Sequence, residues 1–156
     1  MDISCNHYKF VMISKENKKM TAQEHLEKYD IRPSVQRLAV MNYLMSHATH
    51  PTVEEIYADL RREIPTLSKT TIYNTLELLV SKRAVNEITI EGSKAHYDGF
   101  THPHAHFYCR ECGKIYDVPC DESAFDALKP VDGFKIDSTH LYYTGVCPNC
   151  EKQRTN

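Results

Sequence analysis

Between Thr21 and Val80 the apolar residues recur at steps of three and four, and beyond Ala84 the step shortens to two. The first spacing lines one face of a helix and the second one face of a strand. Thr21, with Glu24 three residues on, forms a capping box that opens a short helix to about Tyr29. Asp30-Ile-Arg-Pro breaks it, because Pro33 disfavours helix at Arg32. Ser34 caps a second helix with an apolar stripe of Val35, Leu38, Ala39, Met41, Leu44 and Met45. A box from Thr52 to Glu55 starts a third, with Ile56, Tyr57 and Leu60 inward and Pro65 ending its tail. Ser68 caps a fourth that buries Ile72, Thr75, Leu76, Leu79 and Val80.

After the helices, residues 84–90 and 94–98 alternate as two strands around a turn at Glu91-Gly92. Helices followed by a two-stranded hairpin are the layout of a winged helix-turn-helix, whose last helix lies in the major groove of DNA. The rest differs in kind. His104 to Tyr108, Lys114 to Val118 and Phe134 to Thr144 alternate as strands, with a short helix over Ser123–Leu128. The predicted fold class is α+β: a winged helix-turn-helix domain over residues 21–98, a hinge at 99–103, and a small α+β domain over 104–156. Residues 1–20 show no helical period and end in lysines, so they read as an N-terminal extension.

Composition adds two points. The net charge is −2, but residues 1–83 carry 12 Lys and Arg against 10 Asp and Glu, and residues 84–156 carry 7 against 11. A mildly basic first half suits a nucleic-acid surface there. No apolar run approaches the roughly 20 residues that span a bilayer, so no membrane partner is expected. The first residues lack the basic start and apolar stretch of a signal peptide. The expected location is cytoplasmic, where thiols stay reduced and paired cysteines read as metal ligands before disulfides.

Three constellations carry chemistry. Cys109-Arg-Glu-Cys112 and Cys147-Pro-Asn-Cys150 are two turns that can complete a tetrahedral sulfur cage around zinc, with Zn–S near ~2.3 Å and no open position. Gly113 supplies the backbone freedom the first turn wants. His104-Ala-His106 places two imidazoles on one strand face, with Asp98 before them and Asp117 on the next strand. Nitrogen with carboxylate oxygen suits Fe²⁺, Mn²⁺ or Zn²⁺ in an open, five- or six-coordinate site. On the fourth helix Lys69, Thr70, Tyr73, Asn74 and Glu77 share the outer face. Hydroxyls, an aromatic and an amide suit phosphate and base-edge contact, Asn pairing with adenine. Thr71, with Lys28, Arg32, Gln36 and Arg37 from the preceding segments, completes the candidate DNA-contacting set.

The ordered set Thr-Ile-Tyr-Asn, Tyr-Asp, His-x-His-Phe-x-Cys-x-x-Cys-Gly-Lys-Ile and Gly-Val-Cys-x-x-Cys closely resembles the ferric uptake regulator (Fur) family of metal-dependent repressors, over about residues 21–151. The resemblance implies a homodimer on palindromic operator DNA. It implies a structural zinc on Cys109, Cys112, Cys147 and Cys150, and a regulatory Fe²⁺ or Mn²⁺ on His50, Asp98, His104, His106 and Asp117. Iron-uptake regulators usually have Glu at the positions of Asp98 and Asp117, and commonly Arg at that of Asn74. In all three this chain looks like the peroxide-sensing branch, in which iron-bound protein is oxidised at a histidine ligand and releases DNA; His50 or His104 is then the oxidised residue. Pro103 and Ala105 stand where some relatives place ligands of a further site.

The rival readings are an iron-uptake regulator without peroxide sensing and a zinc- or heme-responsive member. From another class, a metallohydrolase could use two His and two Asp around an open metal position. It lacks a candidate general base and substrate pocket, so no enzyme activity is expected. A plain zinc-ribbon module leaves the helices of residues 34–81 unexplained. Cys5, Cys120, His7, His102 and His140 are assigned no role.

Overall fold

The computed structural model describes residues 20–90, 94–121, 123–126, 132–136 and 138–154. The expected extension, apart from Met20, the turn at Glu91-Gly92 and the end of the helix expected to reach Leu128 lie outside the described residues. The chain divides between Thr101 and His102 into two compact units.

Four helices build the first unit: α1 (Ala22–Lys28), α2 (Val35–Ser46), α3 (Val53–Glu63) and α4 (Lys69–Ser81). Each starts where its hydroxyl cap satisfies an otherwise orphaned N–H. Thr21 and Thr52 close full capping boxes with Glu24 and Glu55, and the Ser34 and Ser68 oxygens accept from Arg37 N and Thr71 N. The inward faces meet in one core, at whose centre Leu26, Val40, Met41, Ile56, Ile72, Leu76 and Leu79 are fully buried. Of the predicted stripe on α2, Met41 and Leu44 are buried and Leu38, Ala39 and Met45 pack half-buried against the core, but Val35 is 68% exposed, and Val40 and Tyr43 are buried besides. Val35 is the first residue of α2, and it lies ahead of the turns that meet the core. Tyr43 turns inward because its hydroxyl donates to Asp59 Oδ2 at 2.7 Å, tying α2 to α3.

Two short strands follow, β1 (Asn86–Ile88) and β2 (His96–Asp98), antiparallel with Asn86 opposite Asp98. The chain then passes close to α2: a Cβ on Gly99 would meet Leu44 Cβ at 3.2 Å and its carbonyl carbon at 3.3 Å. Three hydrogen bonds fasten this exit. Asp98 Oδ1 accepts from Phe100 N at 2.9 Å, Asn86 Nδ2 donates to Phe100 O at 2.9 Å, and the Tyr29 and Thr101 hydroxyls share a hydrogen bond of 2.8 Å.

The second unit is a three-stranded sheet, order β4-β3-β5, from β3 (Ala105–Cys109), β4 (Ile115–Val118) and β5 (Leu141–Gly145). The β3–β4 pair is antiparallel and the β3–β5 pair parallel. A one-turn helix α5 (Ser123–Asp126) precedes β5, and a helix absent from the sequence reading, α6 (Pro148–Arg154), follows it. The expected strand over Phe134–Thr144 shortens to five residues. A strand exists only where a ladder partner does, and β3 supplies one from Ala105 opposite Leu141 to Cys109 opposite Gly145. Phe134 and Ile136, beyond that ladder, are exposed. Among the described residues no helix is long and apolar enough to cross a membrane.

Candidate metal centres and DNA-facing surface

Parallel pairing of β3 with β5 explains the cysteine cluster. Both strands run toward the same end of the sheet, where Cys109 lies opposite Gly145. Each strand therefore delivers one CxxC turn to that end. Gly113, at φ +69°, closes the first turn, with its N–H on Cys109 O at 2.9 Å. Pro148 opens α6 at the position where a missing N–H costs nothing, and Arg154 from that helix reaches Glu111 in the first turn at 2.6 Å.

The four sulfurs lie within 4.8 Å of one another, and Cys112 Sγ is 3.9 Å from Cys147 Sγ. Sulfurs at ~2.3 Å from a tetrahedral zinc stand roughly 3.8 Å apart, so the cluster has the dimensions of a closed zinc cage. The electrostatics agree. Burial pushes the Cys109 thiol up, but backbone N–H groups of Cys112, Cys147 and Glu111 outweigh it and hold the thiol at about 6. A hydrogen bond from the Tyr116 hydroxyl lowers Cys147, whereas its hydrogen bond with Cys147, then burial, pushes Cys150 up to about 12. Thiolates crowded together cannot all ionise unaided; a bound dication lets them.

His106 and Asp117 are cross-strand partners on β3 and β4, and so share a face. His104, just before β3, joins them: its ring centroid lies 4.4 Å from that of His106. Its Nδ1–H donates to His102 O at 2.7 Å, which fixes the tautomer and turns Nε2 toward Asp117 Oδ1 at 3.3 Å. His106 Nε2 is 3.8 Å from the same oxygen. An ion with ligands at about 2.1 Å sets neighbouring donors roughly 3.0–3.4 Å apart, so both spans fit one to within about half an ångström. His106 is buried and Asp117 half-buried.

In the first unit His50 and Asp98 form a second donor pair, their ligand atoms within 4.8 Å. His50 sits at φ +53°, a conformation that costs a β-carbon residue energy and clusters at functional positions. Two bonds to β2 hold it there: His96 Nδ1–H donates to His50 O at 2.7 Å, and Tyr97 N to Pro51 O at 3.0 Å. Asp98 is only 4% exposed and spends Oδ1 on Phe100 N, which orients its other oxygen.

Sequence reading missed the supporting atoms: the carbonyls of His50 and His102, the ring of His96 and the hydroxyl of Tyr116. The carbonyls leave no trace in residue identity. Tyr116 could have been found, since it adjoins Asp117 on a strand that alternates.

Of the DNA-contacting candidates, Lys69, Thr70, Tyr73 and Asn74 stand exposed on α4. Thr71 is half-buried and its hydroxyl bonds Ser68 Oγ at 2.9 Å, which makes it part of the cap. Lys28, Arg32 and Gln36 are exposed, and Lys28 Nζ lies 5.3 Å from the Tyr29 ring. Arg37 is half-buried, with Nη1 donating to Arg32 O at 2.7 Å.

Comparison with known proteins adds the following. The family model described as "Ferric uptake regulator family" matches residues 28–144. The peroxide-responsive repressor PerR of Staphylococcus epidermidis is 35% identical over 82% of this chain and 87% of its own. The peroxide operon regulator of Bacillus subtilis is 33% identical over 86% of this chain and 94% of its own. Among solved structures, the ferric uptake regulator of Helicobacter pylori, described as having three functional metal binding sites, superposes with a TM-score of 0.67 at 23% identity. That match covers 86% of this chain and 97% of that one.

Proposed function

We propose that this chain, which belongs to the ferric uptake regulator family, is a metal-responsive transcriptional repressor, not an enzyme. It acts as a cytoplasmic homodimer on palindromic operator DNA. The observation that carries this reading is the placement of the donors: His50 and Asp98 at the exit of the helical unit, His104, His106 and Asp117 at the entry to the sheet unit, with a separate cysteine cage beyond. The helical unit of residues 21–98 holds the DNA, residues 99–103 are the hinge, and residues 104–156 dimerise.

His50, Asp98, His104, His106 and Asp117 would supply the donors for the regulatory ion. Fe²⁺ or Mn²⁺ bound there supplies the coordination bonds that favour one arrangement of the units and, as iron, the reactivity toward peroxide. The chain's own residues do the rest. His104 and Asp98 arrive pre-oriented by bonds to backbone groups, so few conformations are lost on binding. The exit held by Asp98, Asn86 and Tyr29 passes the arrangement to the helices. A two-state device of this kind shifts operator affinity by roughly 5–150-fold, a coupling of about 1–3 kcal/mol. The cysteine cage, being closed, staples the sheet unit and senses nothing.

The test is the affinity of the full-length protein for a duplex selected from random sequence, with and without Mn²⁺. Wild type should bind more tightly with the ion, and His106→Ala should bind equally with and without it. Equal metal dependence in both proteins removes the regulatory site. Peroxide sensing rests on the two peroxide-responsive relatives and on Asp98, Asp117 and Asn74. It predicts an added oxygen on His50 or His104 when the Fe²⁺-loaded protein meets peroxide; a mass spectrum without it leaves an iron-uptake regulator.

A further inference from the structure

Outside the two donor clusters, the ring of Tyr57 carries an arrangement that the repressor reading does not use. Tyr57 projects half-buried from α3 and packs against the helical core. The Arg61 guanidinium, one turn along, lies 5.3 Å from the ring centroid. Lys69 Nζ, from the first turn of α4, lies 5.6 Å from the same centroid. Both fall within the ~6 Å over which a cation feels the ring's negative face.

An arginine four residues after a tyrosine is an ordinary helix pairing. A lysine arriving from a different helix is not. One ring thus gathers two like charges at the α3–α4 junction, beside the exposed face of α4. Both cationic residues are exposed, and among the described residues neither makes an ion pair. Two cations held together without an anion repel one another, and the pair is relieved by a negative group arriving from outside. The ring also limits the freedom of two long side chains before that group arrives, which lowers the ordering cost of binding it.

We propose that Arg61 and Lys69, seated on Tyr57, form a contact for the phosphodiester backbone of the duplex on which α4 docks. The contact is sequence-independent: it positions the helix and reads no base. It rests on the repressor reading, and names two residues, Arg61 and Tyr57, that the reading leaves without a role.

The experiment measures duplex binding by the full-length, Mn²⁺-loaded protein across a salt series. Each phosphate neutralised contributes about 0.9 to the slope of log K against log salt concentration. Arg61→Ala and Lys69→Ala should each flatten that slope by about 1, equally on the operator and on a shuffled duplex. Arg61→Lys should keep the wild-type slope. Tyr57→Phe should keep wild-type affinity, because the ring face and not the hydroxyl seats the cations. An unchanged slope in both alanine variants, while wild type binds DNA, overturns this contact and leaves the repressor reading intact. Wild type that binds no duplex at all overturns both.

Discussion

At the scale of single residues, ring nitrogens decide what the histidines do. His104 and His96 each commit Nδ1–H to a backbone carbonyl. His104 thereby points Nε2 at Asp117, whereas His96 holds the His50 loop on β2 and is not grouped with the metal donors. His25 is the contrasting case. It is buried on the inner face of α1, its Nε2–H donating to Ala84 O at 2.8 Å. Burial lowers its pKa below the usual 6.5, only partly offset by the Ala84 bond and reinforced by Lys28. The folded state keeps this ring neutral, so its stabilising effect is complete above pH 6.5 and is lost as pH falls through the unfolded value and the unfolded chain takes up the proton. Thermal midpoints of the metal-free protein should therefore fall between pH 7 and 5, and His25→Gln should flatten the fall. Equal slopes would remove His25 as its source. The clustered cysteines and the His104, His106 and Asp117 group were marked in the sequence by chemistry and spacing, whereas His50 entered only through the family resemblance. Tautomers were not marked, since they depend on carbonyls that any residue could supply.

Elements were most legible where a local signal coincides with a global need. Thr21, Ser34, Thr52 and Ser68 each mark a helix start, and all four cap the predicted helix. The Thr52 box is the best placed of them, because α3 begins three residues after the constrained His50 and keeps that loop in register with β2. Thr52→Ala should cost about 1 kcal/mol of stability, read as a lower denaturant midpoint at unchanged slope. A change within 0.2 kcal/mol would mean that Glu55 alone holds the end. The start of the strand expected from Phe134 was illegible for a physical reason: alternation describes a face, but only a partner makes a strand, and β3 is five residues long. The helix α6 was missed because Pro148 looks like a breaker, although at a first helical turn it is a starter.

For the whole molecule, the contacts divide the chain between Thr101 and His102. The sheet unit's pairing is harder to read, because β3 takes one partner across a five-residue connection and another from the far side of α5. Its small size makes the cage important to its stability. Cys147→Ser should lose the tightly held zinc and the dimeric elution volume, while the helical unit keeps its helical circular dichroism. A variant that stays dimeric without zinc would show that the sheet holds unaided.

The parallel pairing of β3 with β5 also bears on the order in which the chain assembles. Cys109 and Cys112 are neighbours and can capture zinc early, as a local event, whereas Cys147 and Cys150 must be brought back across a long loop. Closing such loops is what slows folding. A half-ligated ion at the first turn gives the returning strand a target, so refolding of the sheet unit becomes a reaction whose rate rises with free zinc. The ion in the cage would then set how quickly a newly made chain completes its sheet unit.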